Sequence, residues 1–357
     1  MKISRHWWPM KYWALLIEMM KRVAVVILNY NGASMLERFL PSVVAFSPEA
    51  EVIVADNASN DNSLEYLKVN FPTLCIIGLD RNYGFAEGYN KALAQVDAEY
   101  YILLNSDVEV TDGWIAPLLS FMDKNSNVAA CQPKLLDYKN KSSFEYAGAA
   151  GGFIDRYGYP YCRGRVFDTV EKDCGQYDGV CQVFWASGAA MMIRSKDFWA
   201  VGGLDGRFFA HMEEVDLCWR LNSRGREVFC VPQSEVFHVG GGTLDKSNPR
   251  KTFLNFRNNL LMLYKNQSIK ELCGIMCVRT VLDYVAAFKF LLSGSAGDFK
   301  AVIKARCEYK RMRDSYADIR KENMERTVVS QPVGRVSFML LWQYYVRGRK
   351  VFNKLKL

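Results

Sequence analysis

Four apolar segments early in the chain alternate with segments of helical periodicity, and this alternation limits the fold more than any other feature. The apolar segments are residues 23–28, 51–55, 74–79 and 100–104. Apart from Glu51 at the start of the second segment they carry no charged residue, and such apolar runs are typical of strands covered on both faces. Helical patterns follow the first three, with apolar positions such as Leu36, Phe39 and Val43 in the first. The alternation predicts an α/β fold with a mostly parallel, Rossmann-like sheet covered by helices.

Polar residues follow each apolar segment in the sequence. In chain order they are Asn29, Tyr30 and Asn31, then Asp56 and Asn57, then Arg81 and Asn82, then Asn105 and Asp107. Ligands of parallel α/β sheets bind at the carboxyl ends of the strands, so we expect these side chains to share one site. Turn formation explains Asn or Asp in a single loop, but it explains four consecutive strand ends poorly.

Several common nucleotide and nucleophile motifs are absent from the sequence. No G-x-G-x-x-G follows the first strand, and no P-loop or G-x-S-x-G occurs, which argues against a dinucleotide cofactor, a P-loop nucleotide site and an α/β-hydrolase. We call the polar residues at the four strand ends the polar rim. If the polar rim faced a diphosphate, its carboxylates would need a divalent cation between them and the phosphates. Asn105 and Asp107 offer the oxygen ligands that Mg²⁺ or Mn²⁺ prefers.

The pattern changes after about residue 130, where short strands and glycine-rich loops begin. We expect strands at residues 184–193 and 227–231 and a helix at residues 213–223. Helices dominate from residue 253 onward. A second half built on the first is the simplest arrangement.

The positive charge of the chain is concentrated near its end. The formal net charge is +8, yet residues 259–357 alone hold 19 Lys and Arg against 8 Asp and Glu. Residues 272–292 resemble a membrane span, but Arg279, Asp283 and Lys289 interrupt them and are costly at bilayer depth. We predict an amphipathic helix suited to an anionic membrane surface. A solvated basic helix packed on the domain is the alternative.

Residues 1–21 and the cysteines bear on the setting of the protein. The apolar run at residues 13–17 is too short for a membrane span and lacks a signal-peptide cleavage site. An interfacial anchor or an upstream extension remains, and we favour the extension. The ten cysteines form no C-x-x-C pair, which favours reduced thiols in the cytoplasm.

The ordered motifs at residues 23–32, 56–61, 81–90, 103–107 and 202–220 resemble those of glycosyltransferase family 2, particularly its rhamnosyltransferase-like members. The resemblance covers roughly residues 22–265. It implies a type A glycosyltransferase fold, a nucleotide-diphosphate sugar donor carrying dTDP or UDP, and inversion at the anomeric carbon.

The resemblance also implies roles for the polar rim. It assigns Asp56 to the base or ribose, and it places the following residues along the nucleotide sugar: Asn29, Tyr30, Asn31, Asn57, Arg81, Asn82, Gly84, Asn90, Asn105, Asp107 and Arg257. Asn105 stands where the family has the first carboxylate of its D-x-D metal motif, so Asp107 becomes the principal metal ligand. His238 is the second candidate ligand, with a structural histidine as the alternative. For Arg257 and its neighbour Asn258 the alternative is a surface helix face.

Glu213 and Glu214 fall where the family carries its Glu-Asp pair, whose second member is the catalytic base. Glu214 is therefore the predicted base, with Glu213 and Asp216 as supports, because the attacking acceptor hydroxyl must lose its proton. The family's acceptor-side segment corresponds to Trp185, Ser187 and Gly188. The Trp185 ring is suited either to stacking on a sugar or to burial in the core.

Together these features predict three parts: an extension (1–21), a catalytic domain (22–265, with a nucleotide-binding half 22–130 and an acceptor half 131–265) and a helical, basic, membrane-associating region (266–357). We expect an inverting, metal-dependent transfer of rhamnose or another hexose to a glycan or polyprenyl-linked glycan, at the inner face of the cell membrane and for cell-surface polysaccharide. No nucleic-acid partner is expected. A non-catalytic nucleotide-sugar-binding or scaffold protein is the first alternative. A sugar-1-phosphate nucleotidyltransferase is disfavoured, because the loop after the first strand lacks that class's glycine-rich, arginine-containing sequence.

Overall fold

The computed structural model describes residues 22–240 and 248–355. The expectations for residues 1–21 lie outside the described residues. The strands are β1 (Val23–Asn29), β2 (Ala50–Asp56), β3 (Cys75–Gly78), β4 (Tyr100–Asn105), β5 (Val108–Val110), β6 (Val128–Asp137), β7 (Gly152–Asp155), β8 (Pro160–Cys162), β9 (Arg165–Val166), β10 (Thr169–Val170), β11 (Cys181–Gln182), β12 (Ala190–Arg194), β13 (Glu227–His238) and β14 (Arg335–Val336). The helices are α1 (Ala33–Ala45), α2 (Ser63–Asn70), α3 (Gly84–Leu93), α4 (Ile115–Lys124), α5 (Ser195–Ala200), α6 (Glu213–Ser223), α7 (Pro249–Asn266), α8 (Ile269–Leu292), α9 (Ala296–Met312) and α10 (Ala317–Glu325).

Two sheets organise the described residues. The larger has nine strands in the order β11-β13-β6-β12-β4-β1-β2-β3, with β5 added beside β13. The smaller has five strands in the order β10-β9-β8-β7-β14. Strands β4, β1, β2 and β3 pair in parallel, and the chain passes through α1, α2 and α3 between them. The predicted α/β class, with helices over a sheet rich in parallel strands, is confirmed.

The register of the parallel strands brings their polar ends together. Asn29 at the end of β1 lies opposite Asp56 at the end of β2, and Leu28 lies opposite Asn105 at the end of β4. Apart from Glu51 and Leu28, the interior positions of β1, β2 and β4 are buried, because the sheet has apolar clusters on both faces. The polar residues that end these strands therefore lie together at one edge of the sheet.

Two predicted strands differ from the structure. The strand expected at residues 184–193 is formed only by β12, which runs antiparallel between β4 and β6. The preceding residues cross to the smaller sheet, where Gly152 N–H donates to the Trp185 carbonyl at 3.0 Å. The strand expected at residues 227–231 continues to His238 through a register shift after Cys230. This longer β13 delivers His238 to the polar edge.

The C-terminal helices share a core with the sheets. One apolar cluster contains sheet residues together with Ile275, Tyr316, Leu340 and Phe352. Strand β14 pairs in parallel with β7. The predicted division at residue 265 therefore does not coincide with a gap between two cores. None of the helices in the described ranges is both long enough and apolar enough to cross a bilayer.

Candidate active site

Buried polar contacts tie together the ends of β1 and β2. Asn29 Nδ2 donates to Asp56 Oδ1 at 3.0 Å and to Ser59 Oγ at 3.1 Å. Asp56 Oδ2 accepts from the Ser59 N–H at 2.9 Å. The Asp56 side chain is buried, and each of its oxygens already has a protein partner. It stabilises the floor of the edge, where further lone pairs remain for a ligand.

The loop after β1 presents Tyr30 above this floor. Asn31 has left-handed backbone, with φ of 52°, and its Oδ1 accepts from the Asn60 N–H at 2.8 Å. Asparagine tolerates this conformation better than most residues. The Tyr30 side chain is 47% exposed, so its ring is available to a ligand at the edge.

Asn57 and Asn82 hold the loop that precedes α3. Asn57 Oδ1 accepts from the Tyr83 N–H at 3.0 Å, and its Nδ2 donates to the Gly84 carbonyl at 3.0 Å. Asn82 Oδ1 accepts from the Gly84 N–H at 2.8 Å. The exposed Arg81 guanidinium lies 4.7 Å from the centre of the Tyr83 ring. The loop is thus preformed, with one cation facing solvent.

The first turn of α3 is joined to a distant loop. The N–H groups of Phe85 and Ala86 donate to the Phe209 carbonyl at 2.7 and 3.2 Å. A Cβ atom on Gly84 would lie 2.5 Å from Phe209 Cδ2, and Gly84 has φ of +76°. Only glycine fits there without displacement. The nucleotide loop and the segment before Glu213 are therefore held together by direct contacts.

Three non-glycine residues with left-handed backbone precede the acidic pair. Phe209, His211 and Met212 have φ of 67°, 70° and 73°. Such conformations cost free energy and persist where the surrounding structure enforces them.

Two side chains of α7 hold the geometry of this turn. Asn258 Nδ2 lies 2.8–2.9 Å from the carbonyl oxygens of Phe208, Ala210 and His211. Arg257 donates to the Phe208 carbonyl at 3.0 Å. In this structure Arg257 thus contacts the loop before the acids, while its predicted role at the donor phosphates stays a prediction.

The acidic pair begins helix α6. Glu213 Oε2 and Glu214 Oε2 are buried without a hydrogen-bond partner among the described residues. Burial raises the pKa of Glu214 to about 6. Burial, together with the adjacent Glu214, raises the pKa of Glu213 well above its ordinary value. A carboxylate with a pKa near 6 is ionised at neutral pH and still basic enough to take a proton.

Gly188 and Ala189 bring the acid, the nucleotide loop and the end of β4 together. A Cβ on Gly188 would lie 3.8 Å from Glu214 Cβ and 3.3 Å from Phe85 Cζ. The Asn105 N–H donates to the Ala189 carbonyl at 2.9 Å. Gly188, predicted on the acceptor side, therefore lies next to Glu214, the predicted base. Ala189, which follows it, is hydrogen-bonded to the predicted metal turn, residues 105–107.

Asp107 and His238 form the centre of that metal turn. Asp107 Oδ1 lies 3.1 Å from His238 Nε2, and His238 Nδ1 lies 3.3 Å from Glu145 Oε1. Burial alone lowers the pKa of His238, but the carboxylates of Glu145 and Asp107 outweigh it and raise the pKa to about 10. Asn105 Nδ2 is 3.4 Å from the same Nε2.

These side chains fit a cation that is held largely by its substrate. No group of three or more His, Cys, Asp or Glu side chains within residues 22–240 and 248–355 is arranged to hold a metal ion. Asp107 nevertheless offers a carboxylate here, and His238 beside it ligates a cation only where the cation displaces the proton that the imidazole, with a pKa of about 10, keeps at neutral pH. Mg²⁺ is commonly held by one or two carboxylates plus substrate phosphates, and the donor set present here matches that arrangement.

Asp216 lies outside this constellation, although it was predicted as a support for the base. Its fully buried carboxylate accepts from Lys265 Nζ at 2.9 Å, Arg220 Nε at 3.0 Å and Asn266 Nδ2 at 2.8 Å. Lys265 also donates to Asp205 at 2.6 Å. Asp216 thus fastens α6 to α7, because every side-chain oxygen is committed to this cluster.

Three other predicted site residues serve packing. Trp185 is buried, and its Nε1 donates to the Phe153 carbonyl at 3.0 Å, so its ring is not offered to a sugar. Ser187 Oγ donates to the Ala147 carbonyl at 2.7 Å. Asn90 Nδ2 donates to the Leu204 carbonyl at 2.8 Å, and its Oδ1 accepts from the Leu204 N–H.

Sequence reasoning missed Phe209, His211 and Glu145. Burial lowers the pKa of His211 to about 4, with a contribution from Lys251, so this histidine is neutral at neutral pH. Glu145 reaches His238 from a loop 93 positions earlier in the numbering. Phe209 and His211 lie in a motif that the sequence analysis noted, at residues 202–220, but the motif gave them no role. Nothing in the local sequence marks Glu145.

Comparison with known proteins agrees with this geometry. Residues 24–177 match the model of glycosyl transferase family 2. The chain is 28% identical over 229 residues to N-acetylglucosaminyl-diphospho-decaprenol L-rhamnosyltransferase of Mycobacterium tuberculosis, covering 60% of this chain and 75% of that one. It is 24% identical over 223 residues to rhamnosyltransferase WbbL of Escherichia coli, covering 60% and 83%.

Solved structures show the same fold. GalNAc-T7 with UDP, GalNAc and Mn²⁺ aligns with a TM-score of 0.55 and 18% identity, over 84% of this chain and 57% of that one. The mannosyltransferase PcManGT of Pyrobaculum calidifontis aligns with a TM-score of 0.50 and 12% identity, over 86% of each chain. The described residues thus adopt the type A glycosyltransferase fold. Residues 24–177 thus resemble glycosyl transferase family 2, and the chain is similar to rhamnosyltransferases.

Proposed function

We propose that this protein transfers rhamnose or another hexose, with inversion, from a dTDP- or UDP-linked donor to a hydroxyl of a polyprenyl-linked glycan. The observation that carries the proposal is the position of Glu214. Its Oε2 atom is buried without a partner among the described residues, and its Cβ faces Gly188 beside the end of β4. The name of the M. tuberculosis relative, which specifies a lipid-linked glycan and a rhamnosyl group, supports the donor and acceptor classes.

The chemistry follows from this placement. Tyr30, Arg81 and the loop held by Asn57 and Asn82 bind and orient the nucleotide. The acceptor oxygen attacks C1 of the sugar, its bond to C1 forms as the bond from C1 to the diphosphate breaks, and Glu214 takes the hydroxyl proton. The leaving group is the nucleoside diphosphate. Attack from the side opposite the leaving group inverts C1.

Asp107 and His238 would hold the divalent cation, Mg²⁺ or Mn²⁺. When bound there, the cation supplies charge neutralisation at the diphosphate. A neighbour of the same fold was crystallised with UDP and Mn²⁺, which supports this cofactor class. Asn105 replaces a carboxylate with an amide, so Asp107 is the negative ligand of the turn.

The setting we propose is the cytoplasmic face of the cell membrane, in cell-surface polysaccharide synthesis. All ten cysteines lie within the described residues and are free thiols, which is usual in a reducing compartment. A polyprenyl-linked acceptor would be presented at that face.

The test is Glu214→Gln, with Glu213→Gln as the matched control. Glutamine keeps the shape but lacks the basic oxygen, so turnover should fall by ~10²–10⁴-fold while donor affinity is unchanged. Radiolabelled sugar transfer and calorimetric donor titration give the two quantities. If Glu213→Gln loses turnover and Glu214→Gln does not, the base is Glu213. If the wild-type chain binds donor but neither transfers nor hydrolyses it with Mn²⁺, the protein is a nucleotide-sugar-binding protein instead.

A further inference from the structure

Helix α8 turns two charged residues toward the protein and its large apolar residues toward solvent, which is the opposite of an ordinary amphipathic surface helix. Its charged residues Arg279 and Asp283 are 2% and 0% exposed. Asp283 accepts from Arg279 Nη2 at 3.1 Å and from Arg306 Nη1 of α9 at 2.5 Å. Helices at protein surfaces usually turn their apolar stripe inward and their charges outward. Here an inward ion-pair network fixes the opposite orientation.

The outward side of α8 is apolar as a result. Six large apolar side chains there are between 43% and 74% exposed: Val281, Tyr284, Val285, Phe288, Leu291 and Leu292. Lys289 is the exposed charged residue of the stretch from residue 273 to residue 292. Single exposed apolar residues are ordinary, but a contiguous set marks a surface that another phase or molecule covers.

The C-terminal segment extends this surface with aromatic residues. Trp342, Tyr345 and Val346 are 49%, 55% and 59% exposed. Lys289 Nζ lies 5.3 Å from the centre of the Tyr345 ring, so the segment adjoins the end of α8. Trp and Tyr are enriched where one end of a side chain meets lipid and the other meets water. We call the six α8 residues and these three the α8 patch.

The chain segment that contains Trp342, Tyr345 and Val346 is basic. Residues 326–357 contain seven Lys and Arg and no Asp or Glu. Arg347, Arg349 and Lys350 follow directly on Val346. Clustered basic side chains next to interfacial apolar ones are attracted to anionic lipid headgroups. Arg326 and Arg335 of this segment pair with Glu322 and Glu271, but Arg347, Arg349 and Lys350 next to the aromatic residues favour an anionic lipid surface as the occupant.

We propose that the α8 patch seats the protein on a bilayer that contains anionic lipid. The apolar and aromatic side chains enter the boundary between headgroups and acyl chains, and the basic C-terminal residues contact the headgroups. The proposal rests on the proposed function in one respect, since a polyprenyl-linked acceptor resides in that bilayer. It deepens that function by naming the surface that places the enzyme beside its acceptor.

The experiment is vesicle sedimentation of the full chain. Vesicles of phosphatidylcholine alone are compared with vesicles that also contain phosphatidylglycerol. The variant is Val285→Glu with Phe288→Glu, and the control is Val69→Glu on α2, where the valine is 72% exposed. Because all three positions are exposed, none of these changes removes core packing. We expect binding to the anionic vesicles by wild type and Val69→Glu, and a loss of at least ~10-fold in the double variant.

Three results would overturn the proposal: no binding by the wild type, equal binding to both kinds of vesicle, or equal binding by the double variant. A dimer in light scattering that the double variant abolishes, without vesicle binding, would assign the α8 patch to a second copy. Transfer to a water-soluble acceptor without vesicles should be equal in wild type and double variant. A chain that binds vesicles but never transfers sugar would refute the proposed function and leave this inference standing.

Discussion

At the scale of single residues, the site separates carboxylates that look alike in sequence. Glu213, Glu214 and Asp216 lie within four positions, yet Asp216 has three cationic or amide partners, whereas Glu214 Oε2 has none among the described residues. A carboxylate whose two oxygens are both occupied by Lys, Arg and Asn donors has no oxygen free to approach an acceptor hydroxyl. The unpartnered one is suited to receive a proton.

The pH dependence of turnover should report Glu214. Its pKa of about 6 means that the proportion of the basic form rises with pH through that value. We expect kcat to rise tenfold per pH unit below about 6 and to level off above it. A stopped assay over a pH series at saturating donor measures this, and a rate that is constant between pH 5 and 7 would contradict it.

Glu214 should also cost stability when ionised. Its pKa in the folded protein lies above the ordinary 4.5, so its contribution to stability is fully present below pH 4.5 and is lost as the pH rises through about 6. Glu214→Gln should therefore be more stable than wild type at pH 7.5, by up to about 2 kcal/mol, and similar at pH 4.5. Thermal unfolding at both pH values measures the difference, with the exposed Glu65→Gln as control. Lower stability of Glu214→Gln at pH 7.5 would refute the assignment.

Asp107 should carry the metal dependence of donor binding. Asp107→Ala removes the negative ligand of the turn while leaving His238, so we expect the affinity gained on adding Mn²⁺, at least ~10-fold in wild type, to vanish. Calorimetric titration of the nucleoside diphosphate with and without Mn²⁺ measures it. Asp112→Ala, at an exposed position shortly after β5, is the control. A variant at position 107 that keeps the Mn²⁺ effect would place the cation elsewhere.

At the scale of elements, helix and strand identity followed from periodicity, but their orientation did not. Residues 272–292 were correctly predicted to form a helix, which is α8. The sequence left open whether this helix lies on a membrane surface or packs on the domain as a solvated basic helix, and the structure turns Arg279 and Asp283 inward, where Arg306 on the next helix pairs with Asp283. A pattern of apolar residues marks two faces of a helix without saying which one is covered.

The junction between α3 and the loop before α6 gives the element-scale prediction. Gly84→Ala places a methyl group 2.5 Å from Phe209 Cδ2 at φ of +76°. Gly113→Ala is the matched control, because φ is +67° there and no atom lies within 4 Å. Both variants incur the left-handed strain of ~1–2 kcal/mol, and Gly84→Ala should lose a further ~1–3 kcal/mol from overpacking.

Thermal unfolding of these two variants, with donor titration, separates strain from the contact. We expect weaker donor binding only in Gly84→Ala, since its loop carries the nucleotide contacts. Equal losses of stability in both variants would mean that the Phe209 contact does not restrain the loop.

At the scale of the whole molecule, the C-terminal region completes the fold. Leu340 N–H donates to the buried Asp155 at 2.9 Å, and the Phe352 ring lies 4.9 Å from the Phe153 ring. Strand β14 extends the smaller sheet beside β7. Removing this region exposes apolar core and leaves a buried carboxylate short of a donor.

A chain ending at Lys265 should therefore fail to fold cooperatively. The control is a chain ending at Leu355, which keeps every described contact. Soluble yield and a circular-dichroism melt measure the outcome. A cooperative transition within a few degrees of the full chain, for the shorter form, would show that residues 22–265 fold independently, as the motif boundaries suggested.

The sequence by itself determined the α/β class, the edge at which the polar residues meet, and the position of α6. It could do so because strand and helix periods record burial locally, and because parallel strands end at one edge. The ordered motifs indicated the resemblance to glycosyltransferase family 2, and that resemblance pointed to Glu213 and Glu214 as the acidic pair.

Only the tertiary structure decided which predicted groups remain available for chemistry. Asp216 is engaged by Lys265, 49 positions away, and Trp185 is enclosed by the smaller sheet. The left-handed turn at Phe209, His211 and Met212 depends on Asn258, from another helix. Contacts between residues far apart in the chain set these outcomes, because a side chain's local pattern specifies its face but not the partner that meets it there.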